Sequence, residues 1–167
     1  MAENTDLLIV GAGPTGLATA LFLARKGHRP RIIDKAETIS PYSKAFGVNV
    51  RTLQLLESTG VTDRFLENGR RMKRLNLRRH GRVLATLRLD EVDETYPFML
   101  VQSQADSERM LEDALTEEGI TVERGMRATS IAIEDDLAVT RLTGPSGEET
   151  VRARTVLGAD GVVPDVS

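Results

Sequence analysis

The sequence has no cysteine and no tryptophan, and only two of its 167 residues are histidines. The absence of cysteine excludes a disulfide framework, a thiol nucleophile and a cysteine metal site. His28 and His80 stand among charged residues or beside glycine, so we expect exposed loop positions rather than metal ligands, which must be clustered. A net charge of -3 gives no general attraction to nucleic acid or to anionic membranes. The sequence shows no evident catalytic triad or metal cluster.

A long uninterrupted apolar run is also missing. Residues 7–24 carry no charge, but glycines and a proline interrupt their middle, whereas a membrane span needs about 20 mostly apolar residues. Glu3 and Asp6 precede this stretch, whereas a signal peptide has a positively charged leader. We therefore expect residues 7–24 to belong to a folded core, in a protein that binds no membrane and stays in the cytoplasm.

The chain begins with alternating strand and helix patterns. Residues 5–10 form a short apolar run that predicts a strand buried on both faces. A helix ending at Gly27 follows, because apolar residues recur at helical spacing (Leu17, Ala20, Leu21 and Ala24). The segment "RPRIID" predicts a second strand that ends at Asp34, with Pro30 at its start because proline lacks an N–H. This strand–helix–strand unit of about 30 residues has the usual βαβ size.

Two helices and an antiparallel segment are predicted next. Asn49 can cap a helix that stops at Gly60, and we expect Thr62 to cap a second, shorter helix. The spacing of apolar residues then changes from helical to alternating, with a period of two residues. The segment "RLNLRRHGRVLATLRL" therefore predicts a hairpin that turns at "HG". Apolar residues share a face on each strand (Leu75 and Leu77; Val83, Ala85, Leu87 and Leu89). No aromatic stacking residues separate the basic ones, so we expect a solvated face rather than a nucleic-acid patch (Arg70, Arg71, Lys73, Arg74, Arg78, Arg79 and Arg82).

The remaining pattern returns to α/β. "FMLVQ" predicts a strand, and Ser103 with Asp106 predicts a capping box for a helix that ends at Gly119. After the strand "ITVERG", residues 126–152 predict a three-strand meander, and "RTVLGADG" predicts one more apolar strand with a tight turn. We therefore expect an α/β protein with an antiparallel excursion in residues 70–102. Residues 1–69 and 103–167 would form one domain, and residues 70–102 would begin a second.

The segment "GAGPTG" matches G-x-G-x-x-G between a predicted strand and a predicted helix. Gly11 would allow the tight turn, Gly13 would let a pyrophosphate approach the backbone, and Gly16 would let helix and strand pack closely. The helix N-terminus offers free N–H groups to phosphates. Asp34, about 20 residues further on, can accept both hydroxyls of an adenosine ribose and would repel a 2′-phosphate. The sequence predicts a dinucleotide site here.

Four segments in order resemble class A flavin-dependent monooxygenases, the para-hydroxybenzoate hydroxylase-like aromatic hydroxylases. "GAGPTGLATALFLARKG" is similar to their FAD-binding fingerprint, and "SKAFGVNVRTLQLLESTGV" to their R-A-x-G-x-x-x-R-T-x-E-x-L pattern. "LVQSQADSERML" resembles their glutamine-bearing strand and helix start, and "VLGADGVVPDVS" their G-A-D-G segment. The resemblance spans nearly the whole chain.

The resemblance implies an FAD/NAD(P)-binding Rossmann-like fold with a β-meander, incomplete in this chain, plus part of an antiparallel substrate-domain sheet. It implies that FAD is held by one set of residues (Gly11, Gly13, Pro14, Thr15, Gly16, Asp34, Lys35, Lys44, Gln102 and Asp160). Gln102 would contact the ribityl–phosphate part of the flavin, and Asp160 would serve FAD packing and NADPH engagement. Lys44 stands where the family has an arginine, and it lacks the planar fork that grips phosphate bidentately.

The function implied by the resemblance is hydroxylation of a small phenolic or polyketide-like aromatic substrate. NADPH or NADH would reduce FAD, O2 would form a flavin C4a-hydroperoxide, and the substrate would receive the hydroxyl group. Catalytic residues are not identified, and a homodimer is left open. Two alternatives remain: another FAD oxidoreductase of this fold, such as a halogenase or a reductase, and a non-catalytic nucleotide-binding module.

The resemblance also implies a second flavin motif and the rest of the substrate sheet after Ser167. We therefore expect the 167-residue chain by itself to hold FAD weakly and to catalyse no NADPH-dependent hydroxylation.

Overall fold

The structure is a computed structural model that describes residues 3–39, 45–91 and 95–161. It divides into two compact units, residues 1–41 with 111–167 and residues 42–110. None of the described helices is long and apolar enough to cross a membrane.

The first unit is built on one six-stranded mixed sheet. Its parallel strands are β1 (Glu3–Val10), β2 (Arg31–Asp34), β8 (Val122–Arg124) and β11 (Gly147–Gly158), and its antiparallel strands are β9 (Arg127–Glu134) and β10 (Leu137–Gly144). The strand order is β8-β2-β1-β11-β10-β9. This architecture confirms the α/β fold class with a parallel βαβ unit and a β-meander.

The last strand corrects one expectation. Residues 147–158 form one continuous strand rather than a meander strand followed by a separate apolar strand. Its first part pairs with β10, from Gly147 opposite Gly144 to Ala153 opposite Ala138, and its second part pairs with β1, from Val151 opposite Glu3 to Gly158 opposite Val10. The polar residues in its middle concealed this continuity, because Arg152 and Arg154 break the apolar run while the backbone pairing continues.

A hydrophobic core joins the parallel strands to the meander. Leu8 and Val10 of β1 belong to one cluster with residues of β2 and of all three meander strands (Ile33, Ala128, Leu142, Val151 and Ala153). Leu8 and Val10 alternate along β1 with the equally buried Ile9, so side chains on both faces of this strand are covered. Each fully buried aliphatic side chain stabilises the fold by about 1.5–3 kcal/mol.

Helix α1 (Pro14–Arg25) is closed by the glycine that the sequence predicts at its end. Pro14 takes the first helical position, where its missing N–H costs no hydrogen bond. Gly27 adopts a φ of +86°, and its N–H donates to the Ala24 carbonyl at 2.9 Å, which closes the last turn. The buried face contains the predicted apolar residues (Leu17, Ala20, Leu21 and Ala24).

The second unit contains a three-stranded sheet, two short helices and a separate hairpin. Strands β3 (Ala45–Val48), β7 (Met99–Ser103) and β4 (Arg70–Met72) pair antiparallel in the order β3-β7-β4. The chain between β3 and β4 forms α2 (Val50–Leu56), a 3-10 turn (Glu57–Thr59) and α3 (Val61–Asn68). Helix α4 (Gln104–Glu117) follows β7. As predicted, Asn49 caps α2 by accepting the Thr52 N–H at 2.9 Å.

The expectation for Thr62 was wrong. Gly60, with a φ of +72°, ends the 3-10 turn and caps α3, so Thr62 lies inside the helix. Its buried hydroxyl donates instead to the Leu53 carbonyl at 2.9 Å. Leu53 lies in the last turn of α2, where carbonyls lack intrahelical partners, and Thr62 satisfies one of them. Sequence spacing alone could not reveal this contact between the two helices.

The predicted hairpin is formed by β5 (Arg74–Arg79) and β6 (Arg82–Arg88), and it turns at His80 and Gly81. Leu75 lies opposite Leu87, but an irregularity after Leu77 places Val83 opposite Arg78. Val83 therefore lies on the same face as the basic Arg78. This differs from the predicted alternation, which placed Val83 on the same face as Ala85. Every residue of both strands is exposed.

A charge cluster holds one edge of the six-stranded sheet. Arg31 donates twice to the Glu123 carboxylate, at 2.7 and 2.6 Å, and also to Glu149. The hydrogen bond with Glu123 raises the pKa of Arg31, and Glu149 adds to this shift. The Arg31 side chain is only 11% exposed, so water cannot replace these partners fully.

We expect Arg31→Met to lower the free energy of unfolding by about 1–3 kcal/mol, the range for hydrogen bonds to charged groups. Urea denaturation measures this change. The control is Arg154→Met, which removes a pair with Asp6 whose side chains are 79% and 90% exposed. Such a pair contributes little, so equal losses in the two variants would contradict a stabilising role for the cluster.

Candidate functional site

The glycine loop between β1 and α1 is shaped by its contact with the "GADG" segment. Gly11 has a φ of +108°, and a Cβ built there would lie 2.4 Å from the Ala159 carbonyl oxygen. Two backbone hydrogen bonds hold the surroundings: Gly11 N–H donates to the Ile33 carbonyl at 2.8 Å, and Ala159 N–H donates to the Val10 carbonyl at 2.7 Å. Only glycine fits this conformation and this approach.

Close packing inside the fold also requires a glycine at position 16. A Cβ at Gly16 would lie 1.9 Å from the Gly11 carbonyl oxygen and 3.3 Å from the Ala159 Cβ. The first turn of α1 therefore rests directly on the loop that precedes it. The sequence predicts close packing at this glycine, and the structure identifies the loop and Ala159 as what it packs against.

Gly13 differs from the other two glycines of the motif. A Cβ at Gly13 would meet nothing within 4 Å, and its φ of -73° is open to any residue. Neither backbone conformation nor packing within the described residues requires a glycine here. The open space beside it is what a ligand approaching the backbone would fill, which fits the predicted position of a pyrophosphate.

The N-terminus of α1 faces this region without a side-chain cap. The first backbone bond of the helix runs from Leu17 N–H to the Gly13 carbonyl at 3.0 Å, so the N–H groups of Thr15 and Gly16 have no partner within the helix. No side chain caps the helix, and its first turn carries no acidic residue. The uncompensated positive end of the helix dipole therefore suits a phosphate.

Asp34 lies at the end of β2 and bonds to the glycine loop. Its Oδ2 accepts the Ala12 N–H at 2.6 Å, and its Oδ1 accepts the Ala36 N–H at 2.7 Å. Each carboxylate oxygen can accept a further bond, so ribose hydroxyls remain possible partners. The sequence did not reveal that the Asp34 carboxylate holds the loop backbone at Ala12. The role of Asp34 toward ribose stays a prediction.

The remaining predicted residues are distributed over both units. Asp160 is half-buried and directly follows Ala159, the residue that contacts Gly11, while Lys35 is exposed beside Asp34. Gln102 lies on β7 in the second unit. Lys44 falls outside the described residues. The roles assigned to all four stay predictions.

Gln102 reveals a residue that the sequence did not single out. Its side chain is 6% exposed, and its Nε2 donates to Ser107 Oγ at 2.6 Å. Among the described residues its Oε1 has no hydrogen-bond partner. A signal for Ser107 was present, because it falls at helical spacing on the face of α4 that carries the buried Leu111 and Ala114.

Other kinds of site find no support in the described part of the chain. No group of three or more histidine, aspartate or glutamate side chains there could hold a metal ion. The chemistry of the described site is thus that of backbone amides and one carboxylate around a strand–glycine loop–helix turn.

Such a turn defines a dinucleotide-binding α/β fold. The model of one family, described as FAD binding domain, matches residues 4–166, and the chain belongs to this family.

Named relatives and solved structures agree with this family. Aklavinone 12-hydroxylase RdmE from Streptomyces purpurascens is 36% identical, and the match covers 95% of this chain and 33% of the relative. The structure of aklavinone-11 hydroxylase with FAD and aklavinone has a TM-score of 0.83 and 31% identity, over 96% of this chain and 34% of that one. For p-nitrophenol 4-monooxygenase PnpA from Pseudomonas putida DLL-E4, the TM-score is 0.88 at 25% identity, over 95% of this chain and 42% of that one.

The chain spans about a third of the length of the curated relatives it matches.

Proposed function

We propose that the protein binds FAD at the glycine loop and that the whole protein is a monooxygenase that hydroxylates an aromatic, polyketide-like substrate with NAD(P)H and O2. The observation that carries this proposal is the open space beside Gly13 at an uncapped helix N-terminus, in a chain of the FAD binding domain family. Relatives named as hydroxylases of aklavinone and as a 6-methylpretetramide monooxygenase support the substrate class.

Different residues of the first unit bind different parts of the cofactor. The N–H groups of Thr15 and Gly16 donate to the pyrophosphate, and Pro14 fixes the start of the helix that presents them. Asp34 accepts the adenosine ribose hydroxyls through the lone pairs that Ala12 and Ala36 leave free, with Lys35 beside it.

Three further residues complete the proposed set. Asp160 serves FAD packing and NADPH engagement, and Lys44 pairs with phosphate as a point charge. Gln102 contacts the flavin part of the cofactor.

The bound flavin supplies electron transfer and oxygen activation, which this chain's side chains do not offer. The overall reaction consumes the aromatic substrate, O2, NAD(P)H and one proton, and it yields the hydroxylated substrate, water and NAD(P)+. One oxygen atom enters a C–H bond of the ring, and the other is reduced to water by the hydride equivalent. The protein residues bind and orient the cofactor and the substrate.

The test is a titration of the purified protein with FAD and with NAD+, followed by flavin absorption and fluorescence. We expect FAD to bind and NAD+ not to compete at the glycine loop. Turnover is then measured with NADPH and NADH, using a simple phenol and aklavinone as substrates, and the products are examined by mass spectrometry. NAD(P)H oxidation without an oxygenated product would indicate a reductase, and bound FAD that NAD(P)H never reduces would indicate a non-catalytic module.

Asp34→Ala is expected to weaken FAD binding by about 1–3 kcal/mol, the cost of leaving polar partners unpaired. Because Asp34 would hold the adenosine ribose, ADP should lose the same factor and FMN should lose none. Isothermal titration with the three nucleotides measures these losses.

The control for Asp34 is Asp113→Ala, which removes an exposed carboxylate of α4. A loss for FMN as large as for ADP would show that Asp34 acts only by holding the loop.

A further inference from the structure

Strand β9 forms one edge of the six-stranded sheet, and none of the described strands pairs with its outer side. The N–H and C=O groups on such a side are a template for another strand, so proteins usually protect edges with charges, prolines or very short strands. Between its terminal Arg127 and Glu134, β9 carries neither charge nor proline. The opposite edge strand, β8, has only 3 residues, of which Glu123 and Arg124 are charged.

A bulge protects only the first part of the β9 edge. Ala128 and Ser130 lie opposite successive residues of β10, which leaves Thr129 bulged, and the Thr129 hydroxyl donates to the Arg141 carbonyl at 3.2 Å. Bulges distort an edge and oppose further pairing. Residues 130–134 pair with β10 in continuous register, so their outer side stays open to another strand.

Two isoleucines in this open part of β9 are exposed. Ile131 is 38% exposed and Ile133 is 73% exposed, although they lie opposite the buried Thr140 and Ala138 of β10. Directly opposite residues share a face of the sheet, so both isoleucines extend the buried apolar face to its edge. A strand added to β9 would cover them.

The charges at the two ends of β9 identify a second copy of this chain as the added strand. The strand begins at the positive Arg127 and ends at Glu134, which Asp135 follows. In an antiparallel pair of identical strands, the start of each lies beside the end of the other, so a two-fold axis near Ile131 brings Arg127 of each copy beside the acidic end of the other. The Glu134 side chain is 54% exposed while it pairs with Arg152, so its carboxylate can accept a further donor.

The hairpin β5–β6 is also exposed and apolar, but it lacks this complementarity. Each of its strands begins and ends with an arginine, and neither contains an acidic residue. A second copy placed against the hairpin would bring like charges together.

We propose that β9 is the interface of a homodimer in which two six-stranded sheets join edge to edge. The two β9 backbones pair antiparallel, the isoleucines of both copies form one apolar strip, and the charges at the strand ends fix the direction. A contact limited to one strand of each copy is small, so the dimer is weak and depends on protein concentration. The interface uses no residue of the glycine loop and does not rest on the proposed binding of FAD.

Sedimentation velocity over a wide range of protein concentration measures the dissociation constant of the dimer. Ile133→Lys should raise this constant at least about 10-fold, because pairing would desolvate the new ammonium group and a lysine opposes edge pairing. The matched control is Leu84→Lys, the same change at a residue that is 60% exposed on the hairpin. It should leave the dissociation constant unchanged.

Salt dependence tests the charges separately. The wild-type dimer should weaken as salt is added, because salt screens the attraction between the strand ends. Arg127→Glu makes both ends of β9 negative, so its dimer should be weaker at low salt and should tighten as salt is added. Arg154→Glu makes the same charge change at a residue on β11 that is 79% exposed, and it should behave as the wild type does.

Hydrogen exchange identifies the surface, since amides of residues 130–134 should exchange more slowly in the dimer than in the monomer. Circular dichroism checks that each variant is folded, and if Ile133→Lys is not, Arg127→Glu decides. A wild type that stays monomeric at every concentration would overturn the proposal. A dimer that both β9 variants leave intact, or that Leu84→Lys weakens as much as Ile133→Lys does, would be held by another surface, and the proposal would again be wrong.

Discussion

Gly13→Val is expected to lower FAD affinity by at least about 30-fold while leaving the stability of the protein unchanged. The backbone of Gly13 has a φ of -73° and an extended ψ, which valine adopts without strain, and no atom lies within 4 Å of the new Cβ. The valine side chain would instead occupy the space through which a pyrophosphate reaches the helix amides. Losing charge-assisted hydrogen bonds worth about 2–3 kcal/mol corresponds to this factor.

Flavin fluorescence titration measures the affinity, and thermal unfolding without nucleotide measures the stability. Gly13→Ala is the intermediate variant, and its smaller side chain should cause a smaller loss. Unchanged FAD affinity in Gly13→Val would show that the pyrophosphate does not approach this backbone, and the proposed site would then be wrong.

Gly16→Ala is expected to affect stability instead of FAD affinity in the first place, and to lower the free energy of unfolding by about 3 kcal/mol or more. The added Cβ would lie 1.9 Å from the Gly11 carbonyl oxygen, a backbone atom that cannot rotate away. Either the first turn of α1 or the loop must move, and overpacking of this kind costs about 1–3 kcal/mol, occasionally more. For a protein of this size, the midpoint of thermal unfolding should fall by about 10 °C.

Differential scanning calorimetry of the nucleotide-free protein measures this shift, and Gly13→Ala in the same loop is the control. The two glycines are only three positions apart in one motif, yet Gly16 packs against the loop backbone and Gly13 faces open space. A Gly16→Ala protein as stable as the wild type would mean that α1 does not rest on the loop in solution.

The parts of the fold that local chemistry determines could be predicted from the sequence. The apolar run of β1, the helical spacing of α1 and the turn glycine Gly27 act within a few residues of each other. The hairpin and the meander follow from alternation between turn residues for the same reason. The sequence also predicted the glycine loop between β1 and α1, because a glycine loop between strand and helix is itself a local pattern, while the ligand roles of its residues stay predictions.

The predictions that failed concern contacts between segments. Thr62 satisfies a carbonyl of the preceding helix, and Val83 changes face because of a single irregularity in pairing. Neither is encoded in spacing along one element. The pairs Asp34–Ala12 and Gln102–Ser107 are also invisible to periodicity, because each depends on where a backbone amide or a hydroxyl lies in three dimensions.

The pairing of the first strand with the last has a consequence for how the protein is made. Val10 lies opposite Gly158, and Ala159 closes against Gly11 only when that pairing exists. A ribosome that adds about 5–20 residues per second needs about 7–30 s to reach β11 after β1 has been synthesised. Throughout that interval β1 has an unpaired apolar edge, which is an open template for aggregation. The contact between the glycine loop and Ala159 thus forms late in synthesis. The yield of the protein in cells should therefore depend on chaperones that cover this edge.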